Sequence, residues 1–153
     1  MAQPGVALDD LSRPRRVATA ELLTEILATE RDLADLYARF AEATELPALR
    51  AALSDLARAK RERVARLEPL LRALGGDSVA VAPPAGPRPC GAGVEGRGHA
   101  FARAFRGERA LEVLYREIAA LLAAGGLPPG LPELIAGAAQ HRALLRELYL
   151  SYS

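Results

Sequence analysis

Apolar residues recur at steps of three and four through four stretches of this chain, and clusters of proline and glycine separate the stretches. That spacing keeps side chains on one face of an α-helix, so the chain is restricted to packing helix against helix. The first stripe, Leu23, Ile26, Glu30, Leu33, Tyr37 and Phe40, predicts a helix over 18–43 that stops before Pro47. The second, Leu49, Leu53, Leu56, Lys60, Val64, Leu67, Leu71 and Leu74, predicts one over 47–74, closed by Gly75 and Gly76. Phe101, Ala104, Glu108, Leu111, Tyr115, Ile118 and Leu122 predict a third over 99–124. Leu134, Ala138, His141, Leu145, Leu148 and Tyr152 predict a fourth over 131–152. Within each half the connection is short, whereas the Pro/Gly-rich stretch 75–98 is too long for a tight turn and reads as a crossover. The expectation is an all-α protein: an antiparallel four-helix bundle of two helix pairs, 18–74 and 99–152. Residues 1–17 read as a flexible amino-terminal tail and 18–153 as the single bundle domain.

Composition agrees with this reading and narrows the functions. Ala, Leu, Arg and Glu dominate while tryptophan is absent, a bias toward helix formers over strand formers. Twenty basic residues against 19 acidic ones leave a formal charge of +1, so no whole-molecule field selects nucleic acid or an anionic membrane. The single cysteine, Cys90, excludes an intrachain disulfide framework and a paired-cysteine metal site. No apolar run reaches the length of a membrane span, and the expected location is cytoplasmic. Arg58, Arg61, Glu62 and Arg66 fall on the polar side of the second helix and read as a solvated face rather than a nucleic-acid surface.

The stripes also carry charge. Glu30, Lys60, Glu108 and His141 are aimed inward by the same spacing that aims the leucines, and Arg63 follows Lys60 by three positions. A buried carboxylate is costly unless a cation, a metal or a hydrogen-bond donor meets it. Sliding one half over the other aligns T-E-R-D-L-A-D-L-Y at 29–37 with G-E-R-A-L-E-V-L-Y at 107–115, an offset of 78. The same offset places Lys60 over Ala138 and Arg63 over His141. Each half therefore has an inward glutamate, a tyrosine seven positions on, and two marked positions at i and i+3 in its second helix.

With these residues the chain resembles the ferritin-like superfamily, and in layout the helical domain of rubrerythrins. The resemblance covers about residues 20–150. It implies a di-iron centre in which each half supplies one glutamate and a Glu-x-x-His pair. Glu30 and Glu108 match the single glutamates and His141 one histidine. Lys60 and Ala138 stand where the bridging glutamates belong, and Arg63 stands at the other histidine.

A lysine at a bridging position adds positive charge where divalent cations need negative. The leading expectation is therefore a non-catalytic structural or interaction protein without cofactor, in which Glu30, Lys60, Arg63, Glu108, His141, Tyr37 and Tyr115 form a buried polar layer and Lys60 and Arg63 replace the metals. A carboxylate paired with Lys60 is expected to have a depressed pKa. The alternative is a metal-binding protein or oxidoreductase holding one iron, manganese or zinc ion on Glu30, Glu108 and His141. A third reading places a small ligand between the helices. Leu22, Leu27 and Leu36 suggest apolar surface beyond one stripe on the first helix, hence a homodimer; neither nucleic acid nor membrane is an expected partner.

Overall fold

The computed structural model describes residue 8 and residues 11–75 and 94–152. Among them are four helices and no strand: α1 (Arg13–Ala43), α2 (Pro47–Ala73), α3 (Val94–Leu122) and α4 (Leu131–Tyr152). Most of the stretch expected to cross between the pairs, 76–93 with Cys90, lies outside the described residues, as does most of the tail.

Proline opens the first two helices. Pro14 sits in the first turn of α1 and Pro47 in that of α2, where a missing N–H leaves no hydrogen bond unmade. This is why α1 starts at Arg13, five residues before the position expected from its stripe, and takes 13–17 out of the tail. Its far end is fixed by the Thr44 N–H, which donates to the Phe40 carbonyl at 3.0 Å. Arg50 then forks onto the Thr44 carbonyl through Nε and an Nη at 3.2 and 2.7 Å, closing the connection to α2. α2 continues through Pro69, and Gly75, with φ of 76°, takes the left-handed conformation after its last turn. α3 starts at Val94 and so takes 94–98 from the expected crossover. Gly96 and Gly98 disfavour a helix there intrinsically, and that preference is overridden beside Ala100 and Phe101, which are 2% and 1% exposed and anchor the second turn in the core.

α1 packs against α2 and α3, and α3 against α4; α2 and α4 make the slightest of these contacts. The core between them is aliphatic along its length, with Ile26, Leu49, Leu53, Leu67, Leu111, Ile118 and Leu145 fully buried. One end is aromatic: Phe101 lies edge-on to Phe40 at 5.0 Å and to Tyr149 at 5.5 Å. Ion pairs tie the outer seams, Arg31 to Glu68 at 2.6 Å between α1 and α2 and Arg142 to Glu112 at 2.5 Å between α3 and α4. No described helix is long and apolar enough to cross a membrane.

Two details depart from the expected stripes. In α2 the stripe passes through Arg63, which is buried, while Val64 is only half-buried. Leu27 and Leu36 are 1% and 4% exposed and Leu22 is half-buried against the core, so α1 keeps little apolar surface at these three residues. Arg58, Arg61, Glu62 and Arg66 are all exposed, Arg58 pairing with Asp55 on its own helix.

Candidate functional site

Mid-length in the bundle the aliphatic core is interrupted by one polar layer. α1 supplies Glu30 and, two turns on, Tyr37; α3 supplies Glu108 and Tyr115 at the same separation; α2 supplies Lys60 and Arg63. Glu30, Lys60, Glu108 and Tyr37 have no exposed surface at all, and Arg63 only 7%.

Lys60 Nζ stands between the two carboxylates. It lies 2.9 Å from Glu108 Oε1, 3.0 Å from Glu108 Oε2 and 3.4 Å from Glu30 Oε2. Arg63 reaches Glu30 from the same helix, its Nε donating to Glu30 Oε1 at 2.9 Å. One of its Nη atoms donates to the Leu134 carbonyl of α4 at 2.6 Å, and its guanidinium carbon lies 5.3 Å from the centre of the Tyr115 ring. The tyrosines bond crosswise: Tyr37 donates to Glu108 Oε1 at 2.8 Å, and Tyr115 to Glu30 Oε1 at 3.1 Å. Each half's tyrosine thus serves the other half's glutamate. Two carboxylates and two cations balance within the layer.

Glycine makes the arrangement sterically feasible. A Cβ at Gly137 would run into the Arg63 guanidinium, so only glycine lets Arg63 lie along α4. Gly107, beside Glu108, does the same between α1 and α3, where a Cβ would come within 2.7 Å of Leu33 Cδ2. Neither glycine stands out in the sequence, because both fall inside helical stripes; the sole trace is their place next to inward positions 108 and 138.

Protonation follows from burial. Burial pushes the Glu108 carboxyl above its ordinary value, and the opposing pull of Lys60 and the Tyr37 hydrogen bond does not reverse this. That corrects the expected depression: desolvation outweighs pairing here. Burial and the neighbouring Glu108 push the Tyr37 hydroxyl well up, and burial with Glu30 does the same to Tyr115, so both tyrosines remain donors. Burial lowers Arg63, but Glu30 and Tyr115 outweigh it and the net shift is upward.

His141 stands apart. It is half-buried on α4, and its Nδ1, though buried, has no hydrogen-bond partner among the described residues. Burial, then the positive charges of Lys60 and Arg63, push its pKa down to about 3. The same field opposes a metal cation at this imidazole. Lys60 and Arg63 already hold the carboxylates that a metal would need, and among the described residues no group of three His, Cys, Asp or Glu side chains is placed to hold one. The residues present do not fit a di-iron centre.

No family model, curated protein or solved structure matches the chain.

Proposed function

We propose that this chain is a ferritin-like bundle of two antiparallel helix pairs joined by a long crossover, with an ion-pair network where that fold ordinarily carries two metals. On this reading it is a cytoplasmic structural or interaction protein, not an enzyme. The observation that carries the reading is Lys60 Nζ lying within 3.4 Å of both Glu30 and Glu108, at the position that the resemblance gives to a bridging glutamate. A buried network of this kind adds little net stability, because desolvation offsets the Coulomb gain, but it penalises every helix register that would leave a charge unpaired. Its function is to hold one arrangement of four helices whose outer faces are then free to meet partners.

The second reading, a single-metal protein, draws on one observation: the buried His141 Nδ1 has no hydrogen-bond partner among the described residues, and its lone pair stays unprotonated near neutral pH. One experiment separates the two. Protein purified without chelator is analysed for metal and then titrated with iron, manganese and zinc while its melting temperature is followed. Sub-stoichiometric metal and an unmoved melting temperature are expected. Near-stoichiometric metal that disappears in Glu108→Ala or His141→Ala would overturn the network reading in favour of the metal reading.

A further inference from the structure

The first three turns of α1 carry a row of unused charge. Arg13 and Arg16 lie at one end and Glu21 and Glu25 at the other, with Val17 and Ala20 between them. Together they line an open groove of ≈ 640 Å³ whose floor includes Leu71 and Leu74 at the end of α2. Among the described residues none of the four charged side chains forms a hydrogen bond or ion pair, while Val17 in the middle is 52% exposed. The start of α1 is also electrostatically mismatched. Its first turn holds arginines and no acidic residue, although a helix amino terminus favours negative charge.

The order of charges supplies the missing partner. Read from either end about a centre between Val17 and Ala20, the row is its own complement: basic positions meet acidic ones when a second identical row runs the opposite way. Arg16 then faces Glu21 and Val17 faces Ala20, while Arg13 faces Thr24 and lies one residue, about 1.5 Å of helix rise, from the position opposite Glu25. The row from Arg13 to Glu25 is about 18 Å long. Arg13, Val17, Glu21 and Glu25 form an i±4 ridge, the kind by which two helices interdigitate at about 50°.

We propose that this face is a self-association surface, on which two copies of the chain cross α1 against α1 in antiparallel sense about a two-fold axis. Each protomer's Glu25 and Glu21 come to the other's arginine-rich helix start, so the contact supplies the acidic charge that the first turn lacks. The Val17 side chains are covered at the centre, over the Leu71 and Leu74 floor. A contact so small, held by rim charges, gives a weak dimer that salt dissociates. This surface is separate from the polar layer and does not depend on how that layer is read.

Sedimentation equilibrium on the full chain, from low to high micromolar concentration, tests this. Wild type should dimerise at about 0.05 M salt and dissociate toward about 0.5 M. The double variant Arg13→Glu/Arg16→Glu and the double variant Glu21→Arg/Glu25→Arg should each associate about tenfold more weakly or worse. Mixed in equal amounts, the two should form a heterodimer, and the quadruple variant should dimerise with itself again. Val17→Asp should be monomeric with an unchanged circular dichroism spectrum. A wild type that stays monomeric at high concentration and low salt overturns the proposal. So does a dimer indifferent to Val17→Asp and to salt, whether or not a charge-reversed variant folds.

Discussion

The two halves place a glutamate and a tyrosine alike, yet all of the balancing positive charge comes from one of them. α2 gives Lys60 and Arg63 to the layer; at the equivalent positions α4 gives Ala138, fully covered, and a half-buried His141. The difference teaches that one helix can neutralise two others when its opposite number steps back. Ala138 is small, Gly137 has no side chain, and the space they leave is occupied by the long side chains of α2. α2 and α4 accordingly touch less than the other neighbouring helices do, and are linked through Arg63 to the Leu134 carbonyl.

Removing the cation from the charged half should have the largest effect. Lys60→Met leaves two buried carboxylates short of their shared partner, and a loss of about 3–5 kcal/mol is expected at neutral pH in urea denaturation. The loss should shrink in acid, and the sign follows from Glu108. Its folded pKa lies above the ordinary 4.5, so its contribution is fully present in acid and diminishes as pH rises through the raised value. Without Lys60 the proton is held higher still, which widens the gap between variant and wild type at neutral pH. A difference that is flat with pH would mean Lys60 is not the balancing charge.

Next come the two matched bonds. Tyr37→Phe and Tyr115→Phe each delete one donor to a carboxylate, and each should cost about 1.5–3 kcal/mol. Similar losses would mean the halves remain equivalent at this pair of bonds. A clearly smaller loss for Tyr115→Phe would assign weight to Arg63, which still bonds Glu30 and keeps its contact with a phenylalanine ring, and so sharpen where the asymmetry resides.

A smaller effect with an informative sign is expected at glycine. Glycine to alanine in a helix ordinarily stabilises by about 1 kcal/mol. Gly98→Ala, where a Cβ meets no neighbour, should follow that rule, whereas Gly137→Ala should destabilise because it displaces the Arg63 guanidinium. If both variants melt higher than wild type, the close approach of Arg63 to α4 is not required by the fold.

The smallest signal is the titration of His141 by NMR. Its pKa should lie near 3 rather than near 6.5. Between those values the unfolded chain takes up a proton that the folded one does not, so His141 lowers stability as pH falls through that window. His141→Gln should flatten this part of the stability profile. A midpoint near 6.5 would place the imidazole outside the field of Lys60 and Arg63.

Much of this was legible beforehand, and the remainder for definite reasons. Steps of three and four are enough to identify the inward Glu30, Lys60 and Glu108, because helical periodicity is a local property. The starts of α1 and α3 lie several residues before their stripes because largely exposed basic and glycine-rich turns carry little apolar periodicity, and only the first-turn Pro14 hints at one of them. The crosswise tyrosine bonds depend on where α1 and α3 sit relative to each other, which no local pattern encodes. The upward shift of Glu108 needs the depth of burial weighed against the strength of one ion pair, and sequence supplies neither.

The crosswise bonds also bear on how the chain folds. Tyr37 and Glu108 are 71 residues apart and Tyr115 and Glu30 are 85 apart, so both bonds close only after the two helix pairs have docked. A lone first hairpin has Lys60 and Arg63 but lacks the hydroxyl for Glu30; a lone second hairpin has Glu108 with no cation at all. Neither intermediate can bury its own charges completely, and long-range closure of this kind slows the search for the native state. In amide hydrogen exchange the central turns of α1, α2 and α3 should therefore open together, as one cooperative unit, rather than hairpin by hairpin.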